Sequence, residues 1–302
     1  TGDLLCMSSM PSFDPNSFSD GIGSIEYSML RDDERVPLRN KVLKGLYPPG
    51  STVKPMHSMS FLRQGIDPEE TIVCGGGRRI GNRFFRCHSD HGVVDMTKAI
   101  AQSCDSYFYH FAQQVGFDKL ADLAKDLGLG KKYPLPVTSQ FFGTVPTSDW
   151  KMKKFGREWQ PYDTVNASIG QGYYLTSPLQ LAVMTARLAT GRRVNPRLVS
   201  GGENAAPGSY DFASQEIEFI RNAMSEVVNG AGTARRAQLP IPDIKMAGKT
   251  GTAQVVSLSV SDGRTGRWKY RDHGLFTFFA PIEKPRYAGA VVIEHGGGSG
   301  SA

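Results

Sequence analysis

Apolar residues recur at helical spacing through the middle of the chain. The pattern predicts helices over residues 51–63, 95–103, 106–115, 118–127, 148–154, 178–189 and 215–228. Capping signals support these boundaries, because Asp95 is a good N-cap residue and Ser177-Pro178 opens a helix that Gly191 closes. The middle of the chain is therefore predicted to be mostly helical.

Strand patterns lie nearer the two ends. An apolar run over residues 3–10 predicts a first strand with Cys6 inside it, and the polar stretch 17–40 predicts a long loop. Residues 71–91 are rich in Gly and Arg over most of their length, and this composition predicts a small insert that contains a hairpin. Later strand patterns cover residues 244–248, 251–258, 274–280 and 287–294, with a turn at Ser261-Asp-Gly263. This order predicts a mixed α/β fold in which an antiparallel sheet is flanked by helices.

Composition limits the class of protein. Of 302 residues, 39% are hydrophobic, 21% are charged and four are Cys, which excludes disorder, collagen-like repeats and disulfide-rich miniproteins. A length-based estimate gives about two domains. No apolar run approaches the roughly 20 residues of a membrane-spanning helix, so the chain as given is expected to be soluble. Because it starts at Thr1 and stops after a Gly-rich stretch, we interpret it as a fragment of a longer protein.

The net charge of +6 comes from dispersed basic residues. The densest group, Lys151, Lys153, Lys154 and Arg157, falls at a predicted helix, where such a run is usually a solvated face. Nucleic-acid binding is therefore not predicted.

The first motif with candidate chemistry is Ser51-Thr-Val-Lys54 at a helix start. The three-residue spacing places the lysine amine and the serine hydroxyl on one face. A partly desolvated lysine can accept the proton of a serine nucleophile, and the backbone N–H groups of the helix start can face a developing oxyanion. This pair alone is a common chance occurrence.

Two further motifs follow in the chain. Ser103-Cys104-Asp105, between two predicted helices, offers a proton-relaying hydroxyl beside an orienting carboxylate. Lys249-Thr250-Gly251-Thr252 offers a cation, a hydroxyl for a substrate carboxylate, and a glycine that allows close approach. The N–H of Thr252 is expected to complete an oxyanion hole with that of Ser51.

The order and spacing of the three motifs resemble those of the penicillin-recognising serine acyltransferases. Longer stretches are similar to transpeptidase domains of class B penicillin-binding proteins, namely Met10-Pro-Ser-Phe-Asp-Pro-Asn16, Tyr47-Pro-Pro-Gly-Ser-Thr-Val-Lys-Pro55, Gly170-Gln-Gly-Tyr173 and Ala247-Gly-Lys-Thr-Gly-Thr-Ala-Gln254. Three others narrow the resemblance to penicillin-binding protein 2, the cell-elongation group of Gram-negative bacteria: Ser103-Cys-Asp-Ser-Tyr-Phe-Tyr109, Trp150-Lys-Met-Lys-Lys-Phe155 and His295-Gly-Gly. The resemblance covers nearly the whole chain. It implies one transpeptidase domain over residues 1–302, with a β-lactamase/transpeptidase-like fold and a mostly helical lobe.

The resemblance implies a peptidoglycan D,D-transpeptidase. Ser51 would attack the D-Ala-D-Ala carbonyl of a stem peptide, release D-alanine and form an acyl-enzyme that an amine of a second stem resolves. β-Lactams would acylate the same serine. Lys54 is implied as the general base, Ser103 as the proton relay, and Lys249 with Thr250 as the carboxylate clamp. One departure is Asp105, which stands where the wider family usually has Asn.

The resemblance also implies partners and a location. The full-length protein would act with a membrane glycosyltransferase and elongation-complex proteins at the periplasmic face of the inner membrane, held by one N-terminal span.

Two alternative functions use the same motifs. A serine β-lactamase would need a base to activate the deacylating water, and the sequence offers no specific candidate. A β-lactam sensor or scaffold would bind without catalysing.

The cysteines suggest a metal site. Cys74, Cys87, His91 and Cys104 follow the spacing Cys-x12-Cys-x3-His-x12-Cys, and three thiolates with one imidazole form a tetrahedral set that zinc prefers. The family resemblance implies a zinc site beside the second motif, with His91 and Cys104 matching its ligands and the other two cysteines replacing carboxylates. The open alternatives are a Cys74–Cys87 disulfide, free thiols, and His88 as the ligand in place of His91. The zinc would have a structural role, because its bond to Cys104 would fix the direction of the neighbouring Ser103 hydroxyl.

Overall fold

The structure is a computed structural model that describes residues 1–137, 139–199, 208–255 and 267–302. The helices are α1 (Ser24–Asp32), α2 (Lys41–Lys44), α3 (Lys54–Arg63), α4 (Met96–Ala101), α5 (Asp105–Val115), α6 (Phe117–Asp126), α7 (Ser148–Phe155), α8 (Pro161–Ser168), α9 (Pro178–Thr190) and α10 (Ser214–Asn229). The strands are β1 (Ile72–Cys74), β2 (Gly77–Ile80), β3 (Arg83–Arg86), β4 (Gly92–Val94), β5 (Ala247–Ala253), β6 (His273–Ala280) and β7 (Tyr287–Ile293).

The main sheet is an antiparallel meander in the order β5-β6-β7. Its register places Thr250 opposite Phe276, which in turn lies opposite Val291. Helix α10 packs on β5 and α9 packs on β7. Strand β5 is buried along almost its whole length, although it carries a lysine and two threonines. The sheet with its covering helices confirms the predicted mixed α/β architecture.

Helix α3 runs through the centre of the helical lobe. Every residue from Lys54 to Phe61 is buried, and α4, α5, α6 and α10 pack around the helix. A helix enclosed on all sides shows little amphipathic pattern, so its neighbours and not its own periodicity fix its position. It provides a rigid base for the residues at its N-terminus.

Two small antiparallel pairs occupy the predicted insert region. Strand β2 pairs with β3 as a hairpin, and β1 pairs with β4, which brackets the hairpin. Cys74 ends β1 and lies opposite Gly92, so the pairing brings the segments around Cys74 and Cys87 next to the loop that carries His91.

The capping residues predicted for two of the helices are present in the structure. The Asp95 side chain accepts a hydrogen bond from the Lys98 N–H, and Ser177 forms a capping box with Gln180 before α9. Helix α7 is capped by Thr147, one residue before the predicted Ser148. These caps are local in sequence, which explains why pattern alone located the helices.

Three predictions of local structure were wrong, and helix α8 was missed. Residues 3–10 form no strand beyond one bridge between Asp3 and Arg197, and Cys6 is exposed, because no neighbouring strand pairs with the run. The stretch 17–40 contains the helix α1, which has no buried residue although Ile25 and Met29 recur in it at helical spacing. In place of the strands predicted over residues 244–248 and 251–258, the described residues form one strand, β5, which runs through Gly248 and Gly251. Residues 256–258 and the predicted turn at Ser261-Asp-Gly263 lie outside the described residues.

Among the described residues, no helix combines the length and the apolar character that crossing a membrane requires.

Candidate active site

Ser51 lies in a short 3-10 turn, Gly50–Val53, which leads directly into α3. In a 3-10 turn, side chains three residues apart eclipse one another, so Ser51 and Lys54 share a face as their spacing predicted. Ser51 is half-buried, whereas the Lys54 side chain is fully buried. The candidate nucleophile is therefore partly accessible to solvent at the edge of the core, whereas the lysine on the same face is enclosed.

The Lys54 amine joins the first motif to the second. Its Nζ donates to the Ser103 carbonyl (2.7 Å), to Ser103 Oγ (3.1 Å) and to Asp105 Oδ1 (2.6 Å). Within the described part of the chain, all hydrogen bonds of this amine go to residues of the second motif, and none goes to Ser51. The carboxylate that departs from the family pattern is thus an ion-pair partner of Lys54.

Lys249 brings the third motif to the same hydroxyl. Its fully buried Nζ donates to Ser103 Oγ (3.0 Å) and to the Thr250 carbonyl (3.1 Å). Burial, and then the charge of Lys54, hold the pKa of Lys249 well below its usual value. Burial, the largest single influence, raises the pKa of Asp105, but the charge of Lys54 together with hydrogen bonds from His88 and Lys54 outweighs it and leaves the pKa of this carboxyl below its usual value. Two amines therefore meet at a single serine hydroxyl, and the Asp105 carboxylate pairs with one of these amines.

Ser103 has a backbone conformation that serine rarely adopts. Its φ of +59° lies in the left-handed region, in the tight turn between α4 and α5. The turn is closed by the Cys104 N–H, which donates to the Ala99 carbonyl (3.0 Å). Such a conformation costs about 1 kcal/mol in a residue with a Cβ. It is a strained position at the meeting point of the three motifs, where strain is commonly functional.

The backbones of the first and third motifs approach very closely. Gly50 has a φ of +54°, and a Cβ built on it would lie 2.4 Å from the Thr252 carbonyl oxygen. A Cβ on Gly251 would lie 2.7 Å from Thr52 Cγ2. Because no side chain fits between these segments, the backbone around Ser51 lies beside that of Thr252, as the predicted oxyanion hole requires.

Comparison with known proteins identifies the family. The whole chain, residues 1–302, matches the family described as penicillin binding protein transpeptidase domain. The chain belongs to the penicillin-binding protein transpeptidase family. The peptidoglycan D,D-transpeptidase MrdA of Acinetobacter baumannii is 38% identical to it over 327 residues, which cover 100% of this chain and 47% of that protein. MrdA of Escherichia coli K12 is 32% identical, over 98% of this chain and 50% of its own length.

Solved structures of penicillin-binding proteins show the same fold. Pseudomonas aeruginosa PBP2 in complex with WCK 5153 is 36% identical with a TM-score of 0.88, covering 99% of this chain and 68% of that one. The complex of PBP2 and MreC from Helicobacter pylori gives 34% identity and a TM-score of 0.88, over 97% of this chain and 54% of that one. The domain therefore has the β-lactamase/transpeptidase fold, and it spans about half the length of the MrdA relatives it matches.

The penicillin-binding protein domain also brings its predicted metal ligands together. One side-chain atom from each of Cys74, Cys87, His91 and Cys104 lies within 4.8 Å of all the others. His91 Nδ1 lies 3.5 Å from the Sγ atoms of both Cys74 and Cys87, and all four cysteines of the chain are free thiols. His88, the alternative ligand, instead groups with Cys87 and Asp105.

The donor set suits a soft tetrahedral cation. A hydrogen bond with Cys104, followed by bonds from His88 and from backbone N–H groups, lowers the pKa of the Cys87 thiol. The Asp105 N–H donates to Cys87 Sγ (3.2 Å), a type of contact that stabilises a thiolate. Three sulfurs and one imidazole nitrogen at these separations fit zinc, because the ligands need only draw together around the ion.

Two site residues of this penicillin-binding protein domain were missed from the sequence. Gln171, in the quoted Gly170-Gln-Gly-Tyr173 stretch, donates from Nε2 to the Thr252 carbonyl (2.9 Å), and the Gly170 carbonyl accepts from the Gly50 N–H (2.9 Å). The Thr233 hydroxyl lies 2.6 Å from that of Thr250, where the carboxylate clamp was expected. Gln171 lies in a stretch that the family resemblance had already singled out, although no role was assigned to it. Thr233 has no sequence signal beyond its Gly-rich neighbourhood, because it acts through a contact distant in the chain.

Proposed function

We propose that this chain is the catalytic domain of a peptidoglycan D,D-transpeptidase that works through an acyl-enzyme on Ser51. One observation carries the proposal: the Ser103 hydroxyl accepts hydrogen bonds from both Lys54 (3.1 Å) and Lys249 (3.0 Å). A serine has two acceptor lone pairs and one proton. With both lone pairs occupied, the Ser103 proton remains available to a leaving group, which is the role of a relay.

The reaction divides among these groups as follows. The Lys54 amine first gives one of its three protons to the Asp105 carboxylate, with which it is paired. Ser51 Oγ then forms a bond to the carbonyl carbon of the D-Ala-D-Ala peptide, and its proton passes to the Lys54 amine. Ser103 gives its proton to the departing nitrogen of D-alanine as the C–N bond breaks, and it is reprotonated by Lys54. The amine of a second stem then attacks the ester and loses a proton to Lys54, which returns it to Ser51 Oγ as the ester C–O bond breaks. The N–H groups of Ser51 and Thr252 stabilise the oxyanion.

The third motif holds the terminal carboxylate of the substrate. Thr250 and Thr233 supply adjacent hydroxyls, and Lys249 lies beneath them. The lowered pKa of Lys249 describes the domain without substrate, and an arriving carboxylate would raise it again by opposite charge. Substrate binding and charging of this lysine are therefore coupled.

The proposal is tested by measuring acyl transfer to an amine, because covalent labelling by a β-lactam does not distinguish the candidate functions. Ser51→Ala is expected to abolish covalent benzylpenicillin labelling under the transpeptidase, β-lactamase and sensor hypotheses alike. We expect only the transpeptidase to exchange the terminal D-alanine of a pentapeptide stem for an added D-amino acid, as mass spectrometry would show. Turnover of a chromogenic cephalosporin faster than about one per second would instead favour a β-lactamase. Stable labelling without any exchange or cross-linking would favour a sensor.

We further propose the surroundings of the full-length protein. The PBP2 of Helicobacter pylori has been solved in complex with MreC, and a structure 32% identical to this chain belongs to a peptidoglycan synthase complex that coordinates polymerization and crosslinking. By analogy, this domain acts on stem peptides beside a membrane glycosyltransferase and elongation-complex proteins, at the periplasmic face of the inner membrane.

Zinc is proposed as the structural ion of the cysteine cluster. Cys104 lies between Ser103 and Asp105, and Cys87 accepts from the Asp105 N–H, so ligands and catalytic motif share one turn. When bound, zinc would supply only a rigid tetrahedral anchor. The residues Cys74, Cys87, His91 and Cys104 would hold it and so keep the strained turn at Ser103 in place.

Metal analysis is expected to find about one zinc per chain in protein purified without chelator. Removing a ligand by Cys87→Ser is expected to lower Tm by more than about 5 °C, because metal-binding free energy is folding free energy. Cys6→Ser is the matched control, since Cys6 is exposed and outside the cluster, and its Tm should not change. Less than about 0.2 zinc per chain, together with two fewer free thiols than cysteines, would favour the disulfide instead.

A further inference from the structure

Three aromatic rings, two of them exposed and one half-buried, form a cluster beside the catalytic domain's cleft. Trp150 and Phe155, on α7, and Tyr173, after α8, lie with ring centroids 5.6 Å (Trp150 to Phe155), 5.4 Å (Trp150 to Tyr173) and 5.2 Å (Phe155 to Tyr173) apart. Phe155 is 44% exposed and Tyr173 is 38% exposed. We call these three residues the aromatic platform. Large aromatic side chains that remain in water as a contiguous group usually mark a binding surface.

The platform is held firmly although its outer face is exposed. On the inner side of α7, the buried Lys151 forms an ion pair with Asp163 (2.6 Å) and donates to the Glu158 carbonyl (2.9 Å). At the start of the helix, Ser148 donates to the Asp118 carboxylate of α6 from both its N–H (2.9 Å) and its hydroxyl (2.5 Å). The rings therefore stand ready in place and need little ordering to bind, which lowers the entropic cost of association.

The platform is continuous with the candidate active site. Tyr173 comes two residues after Gln171, whose amide holds the Thr252 carbonyl (2.9 Å). The same loop accepts from the N–H of Gly50, the residue before the nucleophile. One short loop thus contacts both walls of the site and carries one of the three rings.

The charges around the platform are mainly positive. Lys154 Nζ lies 5.0 Å from the ring centroid of Trp150 and 5.6 Å from that of Phe155, and Lys153 and Arg157 are exposed nearby. Two exposed carboxylates, Asp149 and Glu158, lie on the same segment, so the cations are in excess. The surface combines flat π faces, which attract polarised C–H groups, with cations, which attract carboxylates.

We propose that the aromatic platform binds the glycan backbone of an uncross-linked peptidoglycan strand while one of its stem peptides occupies the catalytic cleft. The inference rests on the proposed transpeptidase function, which makes such a strand the substrate. A pyranose ring presents C–H groups on one face and fits an exposed aromatic ring, while the carboxylates of neighbouring stems match the surrounding cations. A protein partner would fit the rings equally well, but it would not account for their continuity with the catalytic loop.

Binding of soluble uncross-linked peptidoglycan strands to the 302-residue chain tests the proposal, with isothermal titration calorimetry as the readout. Phe155→Ala is expected to raise the Kd of the strands about tenfold, the effect of losing roughly 1.4 kcal/mol at a central aromatic contact. Phe18→Ala is the matched control, because Phe18 is 40% exposed and packs against Phe13 and not against the platform, and the Kd of this variant should equal that of the wild type. Strands stripped of their stems by an amidase are expected to bind more weakly and to show the same loss with Phe155→Ala.

Benzylpenicillin acylation of each preparation separates the two proposals. Wild-type protein that is not acylated would contradict the transpeptidase assignment itself. Acylated wild-type protein that does not bind strands, or that loses no affinity with Phe155→Ala, would overturn only the platform. Binding of free stem peptides but not of stripped glycan would also overturn it, as would dimerisation of the wild type that Phe155→Ala abolishes in sedimentation experiments.

Discussion

Replacing Ser103 by alanine is expected to slow acylation of Ser51 by benzylpenicillin about a hundredfold or more. The magnitude is that of a lost general acid–base group, because the hydroxyl is the point where the hydrogen bonds of Lys54 and Lys249 meet. The change also leaves two buried amines without their shared acceptor. Stopped-flow or gel-based acylation kinetics at fixed pH would measure the effect.

Ser103→Gly provides the matched variant. Both substitutions remove the hydroxyl, but glycine accepts the φ of +59° without strain. Ser103→Gly should therefore unfold in urea with a free energy about 1 kcal/mol higher than that of Ser103→Ala, while acylation is equally slow in both. If Ser103→Gly acylated at nearly the wild-type rate, the hydroxyl would not be the relay, and the turn geometry alone would matter.

The sequence predicted that the three motifs lie in one site, but it could not predict which of their side chains form hydrogen bonds and ion pairs with one another. The spacing of Ser51 and Lys54 encodes a shared helix face, and the local caps of α4 and α9 encode the helices around it. The partner of Asp105 is not encoded locally: this carboxylate was visible only as a departure from a pattern, and the fold places Lys54 beside it. A charge pair across 51 positions of sequence has no periodic signal.

Glycines illustrate the same limit for the fold. In sequence, Gly248 and Gly251 resemble the ends of two strands, since glycine weakens a strand interior. In the structure they lie within β5, where side chains would collide with Phe276 and Thr52. A sequence pattern reflects the conformational preference of each residue. At these two positions, however, glycine is required by the side chains that pack against the strand. The strand predicted at residues 3–10 failed for a different reason, because its pairing with a neighbouring segment is limited to the bridge between Asp3 and Arg197.

Gly50→Ala is expected to slow acylation of Ser51 strongly and to destabilise the domain. The new Cβ would lie 2.4 Å from the Thr252 carbonyl oxygen and 3.0 Å from its carbon, and φ is +54°. Neither contact atom belongs to a flexible side chain, so β5 must move away from the Ser51 turn. That movement separates the two N–H groups of the oxyanion hole, and losing one such donor costs about 100- to 1,000-fold in rate. Acylation by benzylpenicillin should fall by that factor.

Gly65→Ala isolates the contribution of backbone strain. Gly65 has a φ of +82°, and a Cβ there would meet nothing within 4 Å. Its variant should lose about 1 kcal/mol of unfolding free energy and acylate at the wild-type rate. Gly50→Ala should lose more stability than this, because overpacking of backbone against backbone adds to the strain. Equal stability losses and equal acylation rates in the two variants would show that β5 can yield at Thr252 without disturbing Ser51, and that the close approach of these two segments is not what shapes the site.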